Sequence, residues 1–206
     1  EGTYALDNPH EFYAEVKRQS HLFTGFTYDT MSHGEGWHFC MLGRYLERAD
    51  KTSRILDVKY FILLPQVDYV GSPYDKVQWA AVLKSASALE MYRKRYHRID
   101  PRQVANFLIF DIEFPRSIHY CLVEAEESLH TITGSPSSTF QNAAERSLGR
   151  LRTDLDYSDV EDVFDIGTHQ FLDNFQLKLN QVDDSICAAF FAFRPTPGAQ
   201  KMQEQS

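Results

Sequence analysis

Apolar residues recur along this chain at intervals of three and four, and no stretch sustains an alternating apolar–polar pattern. That spacing predicts helices throughout. Residues 9–28 place Phe12, Val16 and Phe23 on one face. The string Asn8-Pro9-His10-Glu11 before them reads as a capping box with proline at the first helical position. A second box, Ser32-His33-Gly34-Glu35, opens a long helix expected to run to about residue 64, where Pro65 stops it. Its stripe includes Trp37, Met41, Leu42, Tyr45, Leu46, Ala49, Ile55, Leu56, Tyr60 and Leu63. At ~1.5 Å per residue it would span more than about 40 Å.

After a loop at Val70-Gly71-Ser72-Pro73, helices are expected over residues 75–96, 101–110 (capped by Asp100) and 115–132. The break Gly134-Ser135-Pro136-Ser137-Ser138 precedes a more polar helix over 139–155. A last capping box, Ser158-Asp159-Val160-Glu161, begins a second rod over 159–193 with Val163, Phe164, Phe171, Phe175, Leu179, Val182, Ile186 and Phe190 on its stripe. The expected fold is all-α, a bundle of about seven helices built around two long helices. One domain covers residues 1–194, and a polar, disordered tail covers 195–206.

Apolar residues make up 43% of the 206, enough for a sizeable core, and the formal charge of −8 comes without any basic tract. Nucleic-acid binding and attachment to an anionic membrane surface are therefore not expected. No apolar run is long enough to span a bilayer, and no signal peptide is seen. The chain starts at Glu1 rather than Met, so a fragment or processed start is expected. Cys40, Cys121 and Cys187 are far apart, without a CxxC pair, and read as small buried hydrophobes in a reducing cytoplasm.

The candidate chemistry is concentrated in the first rod. Arg44, Glu47, Asp50, Arg54 and Asp57 share one face, at intervals that bring opposite charges together. A solvated salt-bridge stripe is the plain alternative. Arg48 falls instead on the side of Trp37, Met41, Thr52 and Ile55, the core face. An arginine there keeps its charge and needs a carboxylate or several carbonyls within reach. It serves either as a cross-link between helices or as an anchor for an anionic ligand.

Elsewhere, Pro115-Arg116-Ser117-Ile118-His119 opens a helix whose free N–H groups and Arg116 could hold a carboxylate or phosphate. Arg116 and His119 could equally pair with acids of the first rod. Glu35-x-x-His38 matches half of a carboxylate-bridged di-metal site, although Glu35 is already used in the capping box. Asp165, His169 and Asp173 form a further stripe of ligand-type residues on the second rod. Metal binding through Glu35, His38 and His169 stays a weak candidate. No nucleophile elbow, glycine-rich phosphate loop or Walker sequence occurs, and the Met and Phe stripes imply core rather than a cofactor.

The stretch Gly43-Arg44-Tyr45-Leu46-Glu47-Arg48-Ala49-Asp50 resembles the alpha-E family, named for its helices and a Glu-Arg motif. The resemblance takes in Ser20-His21-Leu22-Phe23, Glu35-x-x-His38-Phe39, Leu56-Asp57-Val58-Lys59-Tyr60, Leu64-Pro65, Gln78-Trp79-Ala80, Tyr92-Arg93-Lys94, Pro115-Arg116-Ser117 with His119, and His169-x-Phe171-Leu172. It covers about residues 10–193. Members are usually longer, with further helices and an earlier Glu-Arg-type motif, so the resemblance implies the C-terminal portion of a usual member. Members are often encoded beside an ATP-grasp protein and a transglutaminase-like protein. That implies a role in forming or modifying amide bonds in a peptide-like molecule, with those two proteins as partners. Glu47 and Arg48 would be the catalytic candidates, and Arg44, Asp50, Arg54, Arg116 and His119 would bind ligand. The alternatives are a helical scaffold with an aromatic patch from Tyr92, Tyr96 or Phe190, and a carboxylate/His metal bundle. Exposed apolar faces of a shortened bundle would also favour a homo-oligomer.

Overall fold

The structure is a computed structural model that describes residues 8–61, 73–137 and 139–192. Its described elements are helical, in keeping with the all-α pattern, and no strand occurs among the described residues. The chain divides into two compact units, Glu1–His38 and Phe39–Ser206. No described helix is long and apolar enough to cross a membrane. The expected stop at Pro65, the loop before Pro73 and the tail at 195–206 lie outside the described residues.

The first unit contains helix α1 (Pro9–Thr30) and the opening of α2 (Glu35–Phe61). Asn8 precedes α1 but makes no side-chain cap, so the expected box is absent; Pro9 at the first position starts the helix without needing one. Nor does Ser32 open the second helix. α2 begins at Glu35, with the Gly34 carbonyl taking the His38 N–H at 3.1 Å. The turn between them is held by aromatic contacts, with His33 stacked on Trp37 at 4.3 Å between centroids and its Nε2–H donating to the Tyr28 carbonyl.

In the second unit α2 buries Leu42, Leu46, Ala49, Ser53 and Leu56, a stripe of three- and four-residue steps. Each such leucine contributes about 1.5–3 kcal/mol by leaving water. Helices α3 (Pro73–Ser85) and α4 (Leu89–Arg95) replace the single helix expected over 75–96. Ser87, at φ 54°, turns the chain left-handed between them, and this lets Leu83, Ala86, Ala88 and Leu89 all enter the core. Next come α5 (Pro101–Phe110), capped by Asp100 as expected, and α6 (Ile118–Thr133), which starts later than Pro115 because Ser117 caps it by accepting the Tyr120 N–H. Helix α7 (Ala143–Asp156) starts at the Asn142 cap.

The second rod is divided. Asp159 and Asp162, rather than Ser158 and Glu161, form the capping box of α8 (Val160–Ile166). Gly167, at φ 94°, then separates it from α9 (Thr168–Ile186), and a wider turn over Cys187–Phe191 follows. Helix α9 buries Thr168, Leu172, Phe175, Leu179, Val182 and Ile186 along one stripe. It packs on α7, α7 on α6 and α6 on α5, with α8 bridging α9 and α5.

An ion pair is enclosed in this core. Lys59 is fully buried, its Nζ 2.7 Å from an Asp75 oxygen and 2.6 Å from Gln78 Oε1, and it lies over the Trp79 ring. Two of the three thiols depart from expectation, since Cys40 and Cys187 are exposed and Cys121 alone is buried. Being helical does not bury a side chain; Cys40 stands one position before the buried Met41 and points off the stripe.

Candidate functional site

Helix α2 presents its charged residues to two different places. Arg48 is half-buried, and its Nη1–H donates to the Pro115 carbonyl at 2.8 Å. Thr52, one turn further along, donates to the Arg116 carbonyl at 2.8 Å. Both bonds fasten α2 to the turn that leads into α6. Asp111 shapes that turn from within: its Oδ1 accepts the N–H groups of Glu113 and Phe114, its carbonyl accepts the Ser117 hydroxyl, and its other oxygen pairs with Arg95. The guanidinium expected on the core face is thus met by a carbonyl, not by a carboxylate.

Arg44 lies one turn before Arg48, and Arg116 projects from the fastened turn, so their charges gather with that of Arg48. The pKa of Arg44 is lowered by burial first and then by the Arg48 charge, with Arg116 adding to it. The pKa of Arg116 is lowered by burial and then by Arg48. None of Arg44, Arg48 and Arg116 has a carboxylate partner among the described residues. Half-buried, mutually repelling and unpaired guanidinium groups form a site suited to an anion. Phenols border it. Tyr45 packs edge-on to Tyr120 at 6.2 Å and lies under the Arg48 guanidinium. Burial, then the charge of Glu124, pushes the Tyr45 phenol up to about 12. The Cys121 thiol is also pushed up to about 12 by burial, against the pull of Arg48 and Arg116, so it is an inert neighbour.

Glu47, next to Arg48 in the chain, faces elsewhere. It is exposed and lines a cleft of about 220 Å³ between α2 and α9, with Asp50, Arg54, Asn180 and Asp183. Asp50 holds Arg54 at 2.8 Å, and burial followed by the nearby Asp50 raises the Asp183 pKa. Asp57, further along α2, takes the His169 Nδ1–H at 2.7 Å. The predicted face of five is therefore divided: Glu47, Asp50 and Arg54 meet α9, while Arg44 joins Arg48. A wheel places residues on a helix but not the neighbours that choose among them.

His119 is bound to Asp156 of α7 at 2.7 Å, rather than to the first rod. Of the weak metal candidates, Glu35 and His38 belong to the first unit, while His169 is taken up by Asp57 in the second. Asp165 and His169 stand on separate helices across Gly167. A second Glu-x-x-His, Glu127 with His130, lies on α6, where Glu127 is exposed and His130 bonds to Ser135. Among the described residues no three His, Cys, Asp or Glu side chains stand together as metal ligands. Sequence reasoning missed the phenols and Glu124, which become neighbours of Arg48 only through the fold. It also passed over Glu145-Arg146, a second Glu-Arg pair visible in the sequence.

Fold and site together define an all-α bundle with an unpaired arginine cluster built around a Glu-Arg dipeptide. A model of the alpha-E family, described as a predicted alpha-helical domain with a conserved ER motif, matches residues 2–191. The chain belongs to the alpha-E family. No curated protein and no solved structure matches it.

Proposed function

We propose that this chain is the ligand-binding component of an ATP-grasp-associated system that forms amide bonds in a peptide-like molecule. Arg44, Arg48 and Arg116 hold a carboxylate or phosphate of the ligand. The unpaired cationic cluster carries this proposal, because half-burying three guanidinium groups together is costly for a scaffold that binds nothing there. Glu47, with Asp50 and Arg54, orients the ligand or a partner from the adjoining cleft, and His119 sets the start of α6 through Asp156.

The test is reconstitution with an ATP-grasp ligase encoded beside the gene, following ATP consumption and product mass. Arg48→Ala and Arg116→Ala are each expected to lower product formation by roughly tenfold or more, the worth of a charge-assisted hydrogen bond. Unchanged rate and product with both replaced would overturn the proposal.

A scaffold role has one observation on its side. Ile166, Phe171, Phe175 and Tyr157 line a groove of about 330 Å³ between α7 and α9. The patch expected from Tyr92 does not exist, since Tyr92 is fully buried and its hydroxyl donates to the Arg98 carbonyl. Loss of complex formation on Phe171→Asp, with turnover insensitive to Arg48→Ala, would favour the scaffold.

A further inference from the structure

A separate cleft of about 440 Å³ lies between α6 and α7, away from the arginine cluster, and holds a chain of buried polar groups at its wall. Glu145, Ser135 and His130 are each less than a tenth exposed. The Glu145 carboxylate accepts the Ser135 hydroxyl at 2.9 Å, the Gln141 N–H and the Asn142 amide. Burial works to raise its pKa, but hydrogen bonds from Thr133, Gln141 and Ser135 outweigh it and the pKa is lowered. Glu145 is therefore an ionised acceptor, and the single Ser135 proton points to it.

That assignment fixes the histidine. With its proton committed to Glu145, Ser135 Oγ can only accept from His130 Nδ1, 2.7 Å away. In the neutral ring this bond places the proton of His130 on Nδ1 and leaves the lone pair on Nε2. Nε2 has no partner among the described residues and is not sealed from solvent, and the ring lines the cleft. A carboxylate orienting a histidine so that its other nitrogen faces open space is an arrangement for receiving a donor.

The charges around it are unequal in their freedom. Of the acids lining the cleft, Glu126 is paired with Arg152, Asp154 with Lys178, and Glu145 is held as described. Arg146 and Arg150, one helical turn apart on α7, have no carboxylate partner among the described residues, and Arg146 lies over the Phe140 ring. The cleft so offers free cations and one oriented acceptor, which is the complement of a ligand with an anionic group and a hydrogen-bond donor.

We infer that the α6–α7 cleft binds a small amino acid or the end of a short peptide, its carboxylate on Arg146 and Arg150 and its amine donating to His130 Nε2. The site is independent of the function proposed above.

The inference is tested by NMR titration of the full chain, following the His130 imidazole with L-alanine, acetate and methylamine as separate probes. L-Alanine has both groups, acetate lacks the donor and methylamine lacks the carboxylate. L-Alanine is expected to shift the His130 signals saturably, and to bind at least about tenfold more tightly than either partial probe. Arg150→Ala, at an exposed position, is expected to weaken L-alanine by a similar factor, and His130→Phe to remove its advantage over acetate. If His130→Phe does not fold, Arg146→Ala combined with the three probes decides alone. Equal binding of acetate and L-alanine, no saturable shift with L-alanine, or indifference to the arginine substitutions overturns the inference.

Discussion

The Lys59 ammonium sits 2.7 Å from the Asp75 carboxylate, and neither side chain is more than a twentieth exposed. Enclosure on this scale leaves the Lys59 ammonium dependent on that carboxylate, with Gln78 as a further acceptor. Asp75→Ala is expected to destabilise the fold by about 3–5 kcal/mol, because a buried cation loses its counterion. The double replacement Lys59→Met with Asp75→Leu is expected to cost less than Asp75→Ala alone. Urea denaturation of the variants measures both.

Tyr45 offers a titration read at high pH. Its pKa is 10.0 in an ordinary setting and about 12 here, raised by burial and then by Glu124. The folded chain therefore keeps this proton longer than the unfolded chain. Its contribution to stability is fully present below pH 10.0 and is lost as pH rises toward about 12. Glu124→Gln is expected to bring the phenol down, seen as earlier tyrosinate absorbance on titration.

His169 reports the contact between α2 and α9. Its pKa is raised by the hydrogen bond to Asp57, then by the charges of Asp57 and, after a small opposing effect of burial, Asp173. The stabilisation is present below 6.5, the ordinary histidine value, and fades as pH rises through the raised pKa. Asp57→Asn is expected to return the His169 titration toward 6.5, which imidazole NMR signals follow directly.

Thiol chemistry separates the cysteines. Cys40 and Cys187 are exposed, whereas Cys121 is buried with its pKa pushed up to about 12. A disulfide reagent is expected to modify Cys40 and Cys187 quickly in the folded chain, and Cys121 only after denaturation. Rapid modification of Cys121 in the native state would contradict its burial.

What could be read from the residues alone follows from which forces are local. The stripe Leu42, Leu46, Ala49 and Leu56 and the cap Asp100 act within a turn or two, and they stand where the periodicity places them, whereas the cap of α8 falls one residue later than expected, at Asp159. The breaks at Ser87 and Gly167 were not legible, because a left-handed residue inside an apolar pattern is decided by tertiary packing. The site was legible by half. Arg48 and Arg116 were singled out, but the separation of Glu47 from Arg48 depends on which helices close around α2.

Gly167 itself makes a sharp prediction. At φ 94° any side chain is strained, whatever room surrounds it, and an added Cβ would meet no atom within 4 Å. Gly167→Ala is expected to cost about 1–3 kcal/mol through backbone strain alone. Thermal denaturation against Gly43→Ala, an open helical position with ordinary φ, provides the control.

The ring of Phe39 rests against that of Phe190, 5.3 Å between centroids, near the far ends of the described second unit. A ribosome adding ~5–20 residues each second needs on the order of ten seconds to travel from one to the other. Throughout that interval α2 is made but lacks its contact with the end of the chain. The contact that closes this unit is thus among the last that synthesis allows the chain to make.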